Sequence, residues 1–350
     1  MAKSPSVWIV VLNWNGLTDT LACVHSLRAL RYPTRRIVVV DNGSTDGSVE
    51  ALRTEASDRG IDLLECDRNL GYAGGNNVGI RHALDQGADF ILVLNNDTVV
   101  DSMLLDELLG AAGRYPEAGC FGPWIFYMHD PERLWCTRSE WASADAAFTA
   151  PGKGRLAAEL SQTPASTEYV CGAALFLRAE VASKIGLFDE RFFLVYEDSD
   201  WGFRARRAGF ECMTVPSARV WHKVGTSFGG EASPLRTYFS VRNKLLWAEK
   251  NLPRRDRLKL LGSALRRTYP TLAIEKSAGR PGHKALLWAI NGFMREWSRK
   301  RRDPQEIAHR RGVFDYLRRR FGDCPQEIRD LTRTWSATQE IGAAANSGRS

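Results

Sequence analysis

The chain has 350 residues, a quarter of them charged, which is length enough to bury a full core and, at roughly 100–200 residues per domain, leads to the expectation of one large domain with an appendage. Its net charge of +7 conceals two unlike regions: residues 1–250 carry 26 Lys/Arg against 31 Asp/Glu, whereas residues 251–320 carry 19 against 6. No stretch approaches the roughly 18 apolar residues of a membrane span, and the short apolar run from Val7 to Leu12 lacks the length and cleavage site of a secretory leader, so a cytoplasmic protein that at most lies against a membrane is expected.

In chain order, short β-branched runs alternate with amphipathic segments, the pattern of an α/β fold with a doubly wound, mostly parallel, Rossmann-like sheet. Strands are expected at Val7–Asn13, Ile37–Asp41, Leu63–Cys66 and Phe90–Leu94, with helices at Thr18–Leu30, Ser48–Ser57 and Asn76–Gln86. Asp46 or Ser48 suits the N-cap of the second helix. Residues 129–168, rich in Ala, Ser, Thr and Pro, read as an irregular surface excursion, and 169–181 as a buried strand leading into a helix. A helix over Ser199–Ala208 and a strand over Glu211–Val215 follow. From Pro234 to Phe321 the pattern is helical and strongly basic, and the tail after Thr338 has the composition of a disordered segment. The expected division is therefore a sheet domain over 1–245, a basic helical extension over 246–337 and a tail over 338–350. Seven cysteines stand singly, without a C-x-x-C pair, and read as reduced thiols.

A parallel sheet binds its ligands at the carboxyl ends of its strands. Three of those ends are polar here: Asn13-Trp14-Asn15-Gly16, Asp41-Asn42-Gly43 and Asn95-Asn96-Asp97. Any one of them alone reads as an ordinary turn. Their coincidence on one rim favours a site, because the apolar run Phe90–Leu94 breaks into two amides and a carboxylate that need partners if buried. Asp97, with Asp41 on a neighbouring strand, suits Mg²⁺ or Mn²⁺ carrying a phosphate-rich ligand; Asp101 stands closer to the following helix and is the better cap for it. The glycines of RNLGYAGGNNVGI (Gly71, Gly74, Gly75) can bring backbone N–H groups to an anion. Their spacing is neither G-x-G-x-x-G nor a P-loop, which argues against a nicotinamide dehydrogenase and excludes a P-loop nucleotidase.

The stretch YEDSDW places Glu197, Asp198 and Asp200 beside Phe192, Phe193, Tyr196 and Trp201. Apolar and like-charged neighbours raise a carboxylate's pKa, which suits a general base acting on a hydroxyl. One of the aspartates can instead cap the helix that follows, with Glu197 paired to an arginine such as Arg204. His222, in RVWHKVGTS, reads on its own as a structural or surface histidine more readily than as a metal ligand.

Taken in order, VVLNWNG, VVVDNGSTDGS, NLGYAGGNNVGI, ILVLNNDTVVD, CGAALFLRAEV, LFDERFFLVYEDSDWGFRARRAG and WHKVGTS resemble a family 2 glycosyltransferase of the GT-A fold, over about residues 6–245. Within that family the likeness is to bacterial rhamnosyltransferases and related galactofuranosyltransferases. The resemblance implies an inverting enzyme that moves a sugar, L-rhamnose from dTDP-rhamnose, to a glycan or polyprenyl-diphosphate-linked acceptor in cell-surface polysaccharide synthesis. A UDP-sugar donor, hexose or galactofuranose, is the runner-up, followed by a non-catalytic sugar-nucleotide-binding protein.

Carried over by position, the resemblance makes Asp41 the contact to the pyrimidine base, with Asn13, Asn15, Asn69, Gly71, Asn76 and Asn96 lining the nucleotide-sugar pocket. It makes Asp97 and His222 the ligands of a divalent cation, Mg²⁺ or Mn²⁺. It makes Asp198, with Glu197 beside it, the catalytic base, and places Asp200 and Trp201 on the acceptor side. The chain departs from the family's D-x-D motif at Asn95. The basic extension suits an anionic membrane surface on the inner face of the cell membrane or a lipid-diphosphate acceptor, or else a solvated helical face; no motif supports nucleic-acid binding.

Overall fold

The computed structural model describes residues 4–143, 147–224, 233–268 and 282–347. The chain divides into two compact units, Met1–Val224 and Gly225–Ser350. The division falls ahead of the boundary expected at 245, because the helix that starts at Pro234 packs within the second unit.

The first unit runs β1 (Val7–Asn13), α1 (Leu17–Arg28), β2 (Arg35–Asp41), α2 (Ser48–Arg59), β3 (Asp62–Glu65), α3 (Gly71–Asp85), β4 (Phe90–Asn95), β5 (Thr98–Val100), α4 (Leu104–Arg114), β6 (Ala118–Tyr127), β7 (Asp130–Cys136), β8 (Glu140–Ala142), β9 (Ala147–Thr149), β10 (Ala165–Thr167), β11 (Ala174–Arg178), α5 (Ala179–Ile185), α6 (Glu197–Arg207) and β12 (Glu211–His222). The main sheet has the order β10-β12-β6-β11-β4-β1-β2-β3. β3, β2, β1 and β4 are parallel, β11 is antiparallel to both β4 and β6, and β12 is parallel to β6. The strands β1, β2, β4, β6 and β12 therefore all end at the same rim.

β1 and β4 are buried on both faces, as near-continuous Val/Ile/Leu runs in a covered parallel sheet should be. One core layer lies under α1 and α4 and the other under α3, α5 and α6. α3 begins at Gly71, five residues ahead of the expected Asn76, since its glycines answer to packing rather than to loop propensity. A Cβ on Gly79 would come within 2.4 Å of Val10 Cγ1, so the helix reaches the sheet only without one. Gly71 has φ +75° and lies so close to Phe193 that a Cβ would sit 2.5 Å from its carbonyl oxygen.

Two further expectations are corrected. Residues 129–168 are not simply irregular, since β7 and β10 extend the sheet and β8 and β9 form a hairpin. β12 runs past Val215 as far as His222, through an irregularity between Val215 and Arg219.

The second unit contains α7 (Pro234–Asn251), α8 (Arg254–Thr268), α9 (Gly282–Arg302), α10 (Pro304–Leu317) and α11 (Gln326–Ser347). The tail expected to lack structure after Thr338 is helical as far as Ser347, in keeping with its run of alanines; 348–350 lie outside the described residues. In the core of this unit the buried Arg242 donates to the carbonyl of Gly322 (2.7 Å) and lies against Tyr238, whose hydroxyl donates to Asp315 (2.9 Å). No helix among the described residues is long and apolar enough to cross a membrane.

Candidate active site

The rim is built from strand ends held in register. Asn13 lies opposite Asp41, and Leu12 opposite Asn95. Asn13 Nδ2 donates to Asp41 Oδ1 (2.7 Å) and to Ser44 Oγ (3.1 Å), while Asp41 Oδ2 accepts from the Ser44 amide (2.9 Å). Thr20 donates to Asn13 Oδ1 (2.7 Å) and accepts from Asn96 Nδ2 (2.9 Å), which ties the fourth strand's end to the first. Asn15, at φ 50°, accepts from the Thr45 amide (2.8 Å). The structure thus brings Asn13, Asn15, Asp41 and Asn96 together.

Asn69 joins through Asn42, whose amide donates to its Oδ1 (3.1 Å); Asn69 in turn accepts from the Gly71 amide (2.7 Å). Asn76 is fully buried and donates back to the carbonyl of Tyr72 (2.9 Å), with its Oδ1 lacking a partner. Thr20, Ser44 and Asn42 escaped the sequence reading as site residues, although Asn42 and Ser44 belong to the motif that contained Asp41.

Asp97 meets His222 because β5, which begins at the next residue, pairs antiparallel with the end of β12, setting Thr98 opposite His222. The Lys223 amide donates to the Asp97 carbonyl (3.0 Å), and His222 Nε2 lies 3.0 Å from Asp97 Oδ1 and 3.4 Å from Asn95 Nδ2. Burial pushes the Asp97 carboxyl up, but the hydrogen bond and charge of His222, with support from a backbone amide and Asn95, outweigh it and hold the group below the ordinary aspartate value. The Trp135 ring packs edge-on against His222 with centroids 4.7 Å apart. Asn95 Oδ1 is buried without a partner.

A carboxylate, an imidazole and an orphaned amide oxygen form a donor set that suits Mg²⁺ or Mn²⁺. Among the described residues no third His, Cys, Asp or Glu joins them. Most of such an ion's coordination would fall to phosphate and water, as is usual for these ions. Asp101 accepts from the Met103 amide (2.8 Å) and serves the turn before α4, leaving Asp97 to the rim.

The acidic cluster sorts itself by helical period. Glu197, Asp200, Trp201 and Ala205 lie on the buried side of α6, spaced at i, i+3, i+4 and i+8. Asp200 is fully buried and ion-paired with Arg204 (2.9 Å), so Arg204 pairs with Asp200 and not with Glu197. Trp201 is packed in the core with Nε1 donating to the Gly186 carbonyl (3.0 Å). Both are corrections: these two residues brace α6 from within and do not line an acceptor surface.

Asp198 sits beside this buried side and is itself largely buried. Its Oδ2 accepts from the Gly172 amide (2.9 Å) and its Oδ1 from the Ser199 amide (2.6 Å). Burial raises the Asp198 carboxyl above its ordinary value, while those amides limit the rise. The turn before α6 is strained: Phe193, Val195 and Tyr196 take φ values of 63°, 60° and 76°, which side-chain-bearing residues seldom adopt. Strain of this kind gathers where a fold aims functional groups.

A short chain of contacts links the two halves. Asp198 accepts from Gly172, the adjacent Ala173 carbonyl accepts from the Asn95 amide (3.0 Å), and Asn95 opens the sequence that ends in Asp97. Tyr72, at the start of α3, donates its hydroxyl to the Gly172 carbonyl (2.6 Å). Burial raises its pKa well above the ordinary value, and the charges of Glu197, Asp198 and Asp97 all push it further. Tyr72 was missed because, inside NLGYAGG, its phenol carried no pattern of its own.

This strand order, with polar strand ends and a backbone-held carboxylate facing one rim, is that of a GT-A glycosyltransferase. The fold matches the mannosyltransferase PcManGT from Pyrobaculum calidifontis, solved with GDP-Man and Mn²⁺, at a TM-score of 0.55 over 90% of this chain and 88% of that one, at 16% identity. The profile described as Glycosyl transferase family 2 matches residues 8–186, and the chain belongs to that family. Among curated relatives, an N-acetylglucosaminyl-diphospho-decaprenol L-rhamnosyltransferase of Mycobacterium tuberculosis is 32% identical over 58% of this chain and 72% of its own. A dTDP-rhamnosyl transferase, RfbF of Shigella flexneri, is 23% identical over 82% of this chain and 95% of its own. The protein is a glycosyltransferase; Asp198 and His222 lie beyond the residues that the profile matches.

Proposed function

We propose that the protein transfers L-rhamnose from dTDP-rhamnose to a hydroxyl of a glycan or lipid-linked glycan acceptor, with inversion at the anomeric carbon. The observation that carries this reading is the Asp198 carboxylate, held by two backbone amides and joined through Gly172, Ala173 and Asn95 to the strand end that bears Asp97. The two relatives named for rhamnosyl transfer support the donor.

Asn13, Asp41 and their partners hold the nucleotide, and Asp97 with His222 would hold a divalent cation against its diphosphate. When bound, that cation neutralises charge building on the departing nucleoside diphosphate. Asp198 takes the proton of the acceptor hydroxyl as its oxygen bonds to the anomeric carbon and the bond to phosphate breaks on the opposite face. Burial and then the charge of Asp198 raise the Glu197 carboxyl well above its ordinary value despite a backbone amide bond, and Asp200 is occupied by Arg204, which leaves Asp198 as the base. With dTDP-rhamnose, a lipid-linked or soluble glycan acceptor and Mn²⁺ or Mg²⁺, the protein is expected to release dTDP, and EDTA to suppress the release. Binding of dTDP without release from any dTDP- or UDP-sugar would replace the enzyme with a sugar-nucleotide-binding protein.

The second unit suits an anionic membrane surface. α8 exposes Arg254, Arg255, Lys259 and Arg266 around Leu258, which is 58% exposed, and α9 exposes Arg295, Arg299, Arg301 and Arg302 near Met294, 53% exposed. Each basic side chain near an anionic leaflet contributes about 1 kcal/mol. The protein should float with phosphatidylglycerol vesicles at low salt, less so at high salt, and less again when Leu258→Ser and Met294→Ser are combined. Equal flotation with neutral vesicles, or none with either, rejects the membrane face.

A further inference from the structure

Glu197 opens α6 directly after the strained Tyr196, and it is the one member of the acidic cluster with an unused valence. Asp198 is met by the amides of Gly172 and Ser199, and Asp200 by Arg204. Glu197 is only 4% exposed, yet its Oε2 has no hydrogen-bond partner. A buried polar atom left without a partner is costly, and native structures seldom keep one without a reason.

Its position supplies the reason. Glu197 adjoins Asp198 in the first turn of α6, and Asp198 is joined through Gly172, Ala173 and Asn95 to the strand end that bears Asp97. In a transfer with inversion the sugar ring occupies the space between the leaving diphosphate and the attacking hydroxyl. We propose that Glu197 hydrogen-bonds one ring hydroxyl of the transferred sugar and thereby determines which sugar donor is used, an assignment that rests on the reading of Asp97 and Asp198 above. Burial, and then the negative charge of Asp198, raise the Glu197 carboxyl well above its ordinary value and so favour its neutral form. A neutral carboxyl both donates and accepts, as a sugar hydroxyl does. Asp198 keeps the charged role and Glu197 the recognition role, two neighbouring carboxyls separated by their surroundings.

The test uses the full chain with dTDP-rhamnose and its 2-, 3- and 4-deoxy analogues, or the matching UDP-galactofuranose series if that donor is turned over faster, and measures kcat/KM for each and Kd for the free nucleoside diphosphate. A site built to bond a hydroxyl rejects the analogue lacking it by about 10⁴-fold. Wild type should show such rejection at one ring position. Glu197→Ala should reduce it to about tenfold or less at that position alone, through a fall in kcat/KM for the parent donor, and leave nucleoside diphosphate Kd unchanged. Glu197→Asp, which keeps the carboxyl but withdraws it, should weaken the same discrimination and decides the matter if the alanine variant does not fold. The proposal is overturned if neither variant alters discrimination at any ring position, or if both alter all positions equally. If wild type neither binds the nucleotide nor releases it from a donor, the transferase reading falls as well.

Discussion

Replacement of Asp198 by Asn is expected to leave dTDP affinity unchanged and to lower transfer by about 10²–10⁴-fold, the usual contribution of a positioned general base. Asparagine has nearly the same shape; its one oxygen can replace only one of the two carboxylate oxygens that accept from Gly172 and Ser199, so an unchanged dTDP affinity is the sign that the turn survives. What is lost is the ability to take a proton. The pH dependence is tied to the same group. Asp198 acts only when deprotonated, and because burial raises its pKa, wild-type transfer should fall with decreasing pH at a value above the ordinary aspartate range. Wild-type turnover by the variant, measured as dTDP release, would move the base to Glu197, since Asp200 is closed off by Arg204.

The second large effect is expected at Asp97. Asp97→Asn keeps the shape of the side chain beside His222 but removes the negative charge from the strand end. Charge stabilisation by a bound cation is of the order of 4 kcal/mol, about 10³-fold in rate. Transfer should fall by about that factor. Binding can be followed separately, because a ligand specific to the folded state raises Tm in proportion to ln(1 + [L]/Kd). Wild type with dTDP should gain a further rise in Tm from Mn²⁺, and Asp97→Asn should not. An undiminished Mn²⁺ effect in the variant would show that the ion is held elsewhere.

The parts of the fold that were legible in the sequence are those where local pattern and tertiary packing agree. β1 occupies the expected Val7–Asn13, and β4 ends one residue past its expected limit, because a two-sided apolar run can only be buried and its polar end can only be a rim. The start of α3 was hidden because Gly71-Tyr72-Ala73-Gly74-Gly75 has the composition of a loop, and only contact with β1 and β2 explains why a helix is built from it. The strands of 129–168 lie on or beyond the sheet's edge, and all but β7 are three residues long, so they lack the apolar run that marks a central strand.

The site divides in the same way. Asn13, Asp41 and Asp97 stand at strand ends and could be picked out from the chain alone. The inward turn of Asp200 and Trp201 could not, although the 3.6-residue period from Glu197 to Ala205 contains it once the helix start is known. Tyr72 and Gly172 act across 100 residues of sequence, a link made only by folding.

The three residues Pro216, Ser217 and Ala218 are inserted in β12 opposite the single step from Pro123 to Trp124. From Ser217 onward burial alternates, with Ala218, Val220 and His222 buried and Ser217, Arg219 and Trp221 more exposed. Side chains on a strand change face with every one-residue slip. The length of this insertion therefore acts as a phase setting for the imidazole: lengthen or shorten it by one, and Trp221 or Lys223 would arrive where His222 now stands. Tolerance to change in this segment should thus depend on how many residues it holds more than on which they are.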